Sequence, residues 1–242
     1  MEAKLTELVN RLKAAIQDNL KTVVLYGSAV TGEFRAGHSD LNILCVVERA
    51  DATALEHLHP VAEWWIKQRN LAPLIFTYDE LSQSADVFAI ELLDIKASHK
   101  TLFGQDVVAA IDVPMNLHRI EVEHELRTTL LRLRQHLLLS PDNEDELRAV
   151  LAKSITSVLT LFRHALIALG ENPPHTKPQL LERAGEVFGF EAKPLQSILE
   201  LRNSDRHLEN LRELYYSYMA AVGRVAHELD ARIPKRHLRN FA

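Results

Sequence analysis

Two short polar stretches carry the residue types and the spacing that phosphate and metal chemistry require. Gly27 and Ser28 follow an apolar, β-branched run, and after eleven further residues Asp40 and Asn42 stand two positions apart in a second such run. At a glycine, backbone amides can approach a phosphate closely, and the serine hydroxyl adds a donor. Alternate residues of a strand share a face, so Asp40 and Asn42 present two oxygen ligands beside the turn. The pattern predicts a site for Mg²⁺ and a triphosphate.

The hydrophobic pattern predicts the elements that position these residues. Apolar residues at helical spacing predict a helix over the first ~18 residues and a second helix over 54–67. Short apolar runs predict strands over 22–26, 41–47 and 74–77. Strands that alternate with helices along the chain favour a mixed α/β layer over a helical bundle.

A further acidic candidate stands in the apolar run over 87–95. A run of this length fits either a buried strand or a helical turn, and we expect a strand. An acid among so many apolar residues needs a cation or hydrogen bonds, so Glu91 is consistent with a metal site. Asp94 is the competing acid in the same run.

The segments 25–28 and 40–43 resemble the signature of the nucleotidyltransferase superfamily of the DNA polymerase beta type. That signature is a hydrophobic residue, Gly, then Gly or Ser, a short gap, and two acids that flank a hydrophobic residue. The whole chain is similar to the branch of the kanamycin and streptomycin adenylyltransferases, in which a helical domain follows the catalytic domain. The resemblance implies Mg²⁺-dependent transfer of a nucleoside monophosphate to a hydroxyl of an unknown small molecule or protein. The expected donor is ATP, which would supply AMP, or another nucleoside triphosphate.

The same resemblance implies a role for each candidate residue. Gly27 and Ser28 would bind the nucleotide, Asp40 and Glu91 would be catalytic, and Asp40, Asn42 and Glu91 would hold metal. Asn42 departs from the signature, because a neutral amide stands where relatives carry the second acid. If the missing charge costs ~3 kcal/mol of transition-state stabilisation, the rate falls roughly a hundredfold or more. The alternative function is therefore a catalytically degenerate nucleotide-binding or regulatory module.

Beyond Pro114 the apolar spacing is helical throughout. The sequence predicts a nucleotidyltransferase-like domain over 1–113 and an all-helical bundle domain over 114–242, an α+β fold class in which the second domain could bind the acceptor. Glu121 and Glu125 lie one helical turn apart and could supply a base for the acceptor, or could belong to an exposed charged face.

Two histidines offer weaker signals. Arg202 and His207, with four residues between them, resemble the motif of HEPN ribonucleases, a remote alternative to the simpler interpretation as a solvated helix junction. His164, beside Arg163, is interpreted as a structural histidine because it has no metal-ligand partner at helical spacing.

Composition limits the remaining function classes. The 242-residue chain carries a net charge of −5, which argues against a general nucleic-acid surface. The single cysteine, Cys45, excludes an intramolecular disulfide. No apolar stretch approaches the ~20 residues that a membrane span requires, and no secretory signal is visible. We expect a cytoplasmic protein without a membrane partner. The acceptor, the nucleotide preference and the oligomeric state stay open.

Overall fold

The computed structural model of this chain describes residues 1–31, 40–203 and 210–232. The chain divides into two compact units, Met1–Pro114 and Met115–Ala242. The first unit contains a mixed sheet with helices, and the described part of the second unit is helical. The predicted fold class, an α/β layer followed by a helical part, is confirmed.

The first unit is built on a sheet of four strands within the described residues. Strand β1 lies in the middle of the sheet and is antiparallel to both β2 and β4, whereas β3 pairs parallel to β2 at one edge. In chain order the elements are α1 (Glu2–Ile16), β1 (Leu20–Tyr26), α2 (Ser28–Thr31), β2 (Asn42–Val47), α3 (Ala52–Lys67), β3 (Leu74–Thr77), α4 (Tyr78–Gln83), α5 (Ala89–Ala97) and β4 (His99–Phe103).

The two faces of this sheet pack against different helices. Leu25 and Ile43 belong to a core with residues of α1 and α3. Val24 and Leu44 belong to a second core with residues of α4 and α5. Because side chains alternate along a strand, Asn42 lies on the face that α5 covers, two residues before Leu44.

The local predictions for the first unit are largely confirmed. Helices α1 and α3 and strands β1, β2 and β3 lie where the hydrophobic pattern places them, with ends that differ by a few residues at most. Helix and strand periods are local properties of the backbone, so they are visible in the sequence without knowledge of the partners.

The strand predicted over 87–95 is wrong. This segment forms helix α5, in which Ala89, Leu92 and Ile95 are buried at intervals of three residues while Glu91 and Asp94 are exposed. A short apolar run does not distinguish a buried strand from a buried helix, and packing on the sheet decides between them. The next segment, over 99–103, forms strand β4, which the hydrophobic pattern did not reveal. Its burial is intermediate and its pairing with β1 is long-range.

Helix α7 forms the centre of the second unit and packs against the other described helices. Phe162 of α7 is fully buried, as are Tyr215 and Tyr218. Both tyrosine hydroxyls are satisfied: Tyr215 donates to the carbonyl of Leu133 at 2.8 Å, and Tyr218 lies 2.9 Å from the hydroxyl of Ser154. In chain order these helices are α6 (Met115–Leu139), α7 (Glu144–Ala168), α8 (Lys177–Phe188), α9 (Ala192–Asn203) and α10 (Leu211–Arg232).

Helix α7 is also long and apolar enough to cross a membrane, judged by length and composition alone, and among the described helices it is the one that meets this criterion. Half of its most apolar window is buried within the unit. The core helix of a globular domain meets the same criterion, so this feature is weak evidence for a membrane span.

Cys45 provides a test of the sheet. The thiol lies in the middle of β2, and burial raises its pKa to about 12. Because the thiolate is the reactive form, we expect the folded protein to react with Ellman's reagent roughly a thousandfold more slowly than the urea-unfolded chain. Cys45 is the single cysteine, so the absorbance change reports this site directly. Equal reaction rates with and without urea would contradict the buried position.

Candidate functional site

The predicted phosphate turn lies at the end of β1. Gly27 has a φ of +80°, in the region that glycine adopts at little cost. Its N–H donates to the carbonyl of Ser98 at 3.0 Å, and its own carbonyl accepts from the N–H of Val30 at 2.9 Å. Ser28 is partly buried and begins the short helix α2. The turn is therefore anchored to the residue that joins α5 to β4.

Asn42 lies directly against this turn. The antiparallel register pairs Tyr26 with Asn42, so the residue before the turn and the first residue of β2 are neighbours. The amide nitrogen of Asn42 lies 3.1 Å from the point that a Cβ on residue 27 would occupy. A side chain at position 27 would press on the amide. The structure thus brings together Gly27 and Asn42, which fifteen positions separate in the sequence.

Asp40 is exposed and immediately precedes β2. The next residue, Leu41, is buried in the core beneath α1 and α3, and its N–H donates to the side-chain oxygen of Asn70 at 3.2 Å. Asn70 is itself buried and donates to the carbonyl of Trp65 at 3.4 Å. Asp40 thus precedes the strand that begins at Asn42, with the buried Leu41 between them.

Glu91 reaches the same end of the sheet from helix α5 rather than from a strand. It is exposed in the first turn of α5, and this helix covers the face that carries Asn42. Burial raises the pKa of Tyr26, and the negative charge of Glu91 raises it further. Tyr26 is the sheet neighbour of Asn42, so the charge of Glu91 acts at this end of β1.

Tyr26 lies beside the candidate residues Gly27 and Asn42, and it was not predicted as a candidate from the sequence. It packs against the core under α5, beside Asn42 on one neighbouring strand and His99 on the other. The available signal was its position directly before Gly27, on the same face of β1 as Val24, two residues earlier. What the sequence does not show is that α5 brings a carboxylate toward the Tyr26 hydroxyl.

His99 is the first residue of β4 and follows Ser98, whose carbonyl accepts from the N–H of Gly27. Its Nδ1 lies 3.1 Å from the carbonyl oxygen of Lys96, and its Nε2 lies 3.1 Å from both carboxylate oxygens of Asp106. Both partners of the imidazole ring are oxygen acceptors. The pKa of Asp106 is lowered, first by the hydrogen bond with His99 and to a smaller extent by the hydrogen bond from the N–H of Ala109.

The charges of the candidate residues argue against a two-metal centre. Asp40 and Glu91 supply carboxylates, whereas Asn42 is neutral. Within residues 1–31, 40–203 and 210–232, no three His, Cys, Asp or Glu side chains converge in a way that could hold a metal. Proteins commonly hold Mg²⁺ through one or two carboxylates together with substrate phosphates. One cation that arrives with a triphosphate is compatible with this arrangement, but a pair of cations needs more negative charge.

The candidates of the helical half lie apart from this cluster in the sequence. His164 is fully buried, and its Nδ1 lies 2.9 Å from Nε2 of His118, as expected for a structural histidine. Glu121 and Glu125 are partly exposed on α6, and their role as a base stays a prediction. Of the motif that resembles HEPN ribonucleases, His207 lies outside the described residues.

Comparison with known proteins supports the fold. No protein-family profile matches the sequence, and no curated protein matches it. Among solved structures, the chain is similar to spectinomycin adenyltransferase AAD(9) from Enterococcus faecialis, a structure with ATP and spectinomycin. The superposition has a TM-score of 0.56 at 15% identity and covers 94% of this chain and 99% of that chain. The fold is that of a nucleotidyltransferase with a helical C-terminal part.

Proposed function

We propose that this protein binds a nucleoside triphosphate at the Gly27–Ser28 turn and transfers its nucleoside monophosphate to a hydroxyl group. The observation that carries this proposal is the position of the Asn42 amide against Gly27 at the end of β1, where the negative charge of Glu91 also acts on Tyr26. The resemblance in fold to AAD(9), whose structure contains ATP and spectinomycin, favours ATP as the nucleotide and a small molecule as the acceptor.

The reaction assigns a separate task to each residue. The acceptor oxygen attacks the α-phosphorus, the bond from the α-phosphorus to the bridging oxygen breaks, and pyrophosphate leaves. The hydroxyl of Ser28 would donate to a phosphate oxygen, and Glu91, exposed on α5, would take the proton of the acceptor hydroxyl. A bound Mg²⁺, held by Asp40 and the phosphates, would offset the negative charge of the triphosphate.

A second function, nucleotide binding without turnover, is favoured by one specific observation. The second metal-binding carboxylate of the signature is replaced by Asn42, which is neutral. Such a module would bind nucleotide with little dependence on metal and would release no pyrophosphate.

Two measurements separate these functions. The first is the melting temperature of the protein with each nucleoside triphosphate, with and without Mg²⁺, because a ligand that binds only the native state raises apparent stability. The second is pyrophosphate release in the presence of a panel of hydroxyl compounds that includes spectinomycin. A shift in melting temperature with pyrophosphate release supports transfer, and a shift without release selects the binding module. If no nucleoside triphosphate shifts the melting temperature, both proposed functions are wrong.

The phosphate and metal assignments predict the effect of two substitutions. We expect Ser28→Ala, which removes a donor, to weaken ATP binding by about 1–3 kcal/mol. We expect Asp40→Ala, which removes a metal ligand, to slow pyrophosphate release in Mg²⁺ at least about tenfold and to change ATP binding little. Isothermal titration calorimetry measures binding, and the pyrophosphate assay measures turnover. Ser197→Ala and Asp18→Ala make the same chemical changes elsewhere on the surface and should leave binding unchanged. If Ser28→Ala binds ATP as tightly as wild type does, the phosphate assignment is wrong. If Asp40→Ala releases pyrophosphate as fast as wild type does, the metal assignment is wrong.

A further inference from the structure

The backbone donors of the Gly27–Ser28 turn are partly committed within the fold. The N–H of Gly27 donates to the carbonyl of Ser98, and the N–H of Val30 donates to the carbonyl of Gly27. A phosphate carries several acceptor oxygens, and each N–H that is already used inside the protein is one donor fewer for them. An anionic group at this turn therefore needs donors from another element.

Asn42 places such donors against the turn. Its amide nitrogen lies 3.1 Å from the Cβ position of residue 27, so the amide packs against the glycine where any other residue would have a side chain. An amide NH₂ group has two N–H donors and no charge. The β1–β2 register, which pairs Tyr26 with Asn42, holds the amide at this position.

The neutral charge of Asn42 matters as much as its donors. A carboxylate at position 42 would repel a phosphate bound beside it, and a cation between the two groups would be needed to offset the repulsion. An amide causes no such repulsion and can itself donate to the phosphate. The two remaining acids, Asp40 and Glu91, belong to the segment before β2 and to helix α5 rather than to β2 itself.

We propose that Asn42 is a phosphate-binding residue rather than a metal ligand, and that it makes binding of a nucleoside triphosphate largely independent of a divalent cation. This proposal rests on the proposed function, since it takes the Gly27–Ser28 turn as the phosphate site. It assigns to a neutral donor the place at which the signature has a metal-binding acid.

The test is isothermal titration calorimetry of the full-length protein with ATP, once in excess EDTA and once in excess MgCl₂. For wild type we expect the two dissociation constants to agree within about threefold. Asn42→Ala should weaken binding about tenfold or more in both conditions, because a hydrogen bond to a charged group is lost. Asn42→Asp should bind most weakly in EDTA and should regain at least about tenfold with Mg²⁺, which offsets the repulsion.

The matched control is Asn10→Asp, which adds the same charge on an exposed position of α1. It should bind ATP as wild type does in both conditions. Wild-type binding that is about tenfold or more tighter in Mg²⁺ than in EDTA would overturn the role of Asn42 and leave the proposed function standing. If Asn42→Ala binds ATP in EDTA as tightly as wild type does, the role of Asn42 is likewise overturned and the proposed function stands. If wild type binds no ATP in either condition, the proposed function itself fails. If Asn42→Ala does not fold, the comparison of ATP binding by wild type in EDTA and in MgCl₂ still tests the proposal.

Discussion

Replacing Gly27 with valine is expected to weaken ATP binding at least about a hundredfold, or about 2.7 kcal/mol. Two effects combine at this position. The φ of +80° is unfavourable for a β-branched residue, and the new Cβ would lie 3.1 Å from the amide nitrogen of Asn42. Relief of this contact displaces either the turn or the amide, and both are assigned to phosphate binding. Calorimetric titration with ATP measures the loss.

Gly170 supplies the control for backbone strain. It has the same φ of +80°, but nothing lies within 4 Å of the Cβ that a substitution would add. It follows α7, and its N–H donates to the carbonyl of Ile167 at 2.9 Å. We expect Gly170→Val to lower the free energy of unfolding by about 1–3 kcal/mol, as Gly27→Val does through strain, and to leave ATP binding intact. Equal binding by wild type and Gly27→Val would show that the turn is not a phosphate site.

The second large effect concerns Trp65, the bulkiest fully buried side chain of the first unit. It packs in the core between the sheet and helices α1 and α3. We expect Trp65→Ala to lower the free energy of unfolding by about 3–5 kcal/mol, because it leaves a cavity that the surrounding residues fill only in part. Urea unfolding followed by far-UV circular dichroism measures the change.

Trp65→Phe separates ring packing from hydrogen bonding. Within the described residues, the indole Nε1 of Trp65 is buried without a hydrogen-bond partner. Trp65→Phe removes this unpaired N–H and its desolvation cost, which partly offsets the packing lost with the larger ring. We therefore expect Trp65→Phe to lower the free energy of unfolding by less than about 2 kcal/mol. Trp64 is the matched neighbour: it is partly exposed, with the guanidinium of Arg11 4.4 Å from its ring centroid. Trp64→Ala should cost about 1–2 kcal/mol. A loss for Trp65→Phe as large as that for Trp65→Ala would contradict this account.

Part of the candidate site could be predicted because its residues are close in sequence or share a strand. Gly27 and Ser28 follow a run of apolar and β-branched residues, and Asp40 and Asn42 stand at the period of a strand, so a turn and a shared face follow from backbone geometry. Glu91 was predicted on a buried strand, but it is exposed on helix α5, and its role at the site stays a prediction. An acid in an apolar run is visible in a sequence, but the element that carries it is not.

The amino-acid sequence by itself determined the order of α1, β1, β2, α3 and β3, the turn at Gly27, and the change to helical spacing beyond Pro114. Each of these depends on periods of two or 3.6 residues and on the conformational freedom of glycine, which are local properties.

Only the tertiary structure decided how the site is assembled. The β1–β2 register sets the amide of Asn42 against Gly27, and the hydrogen bond from Gly27 to Ser98 removes a backbone donor from the turn. Packing on the sheet makes the segment that carries Glu91 a helix and brings its charge to Tyr26. These features depend on contacts between residues far apart along the chain. Such contacts form only when the hydrophobic faces of separate elements are buried together, so no local pattern encodes them.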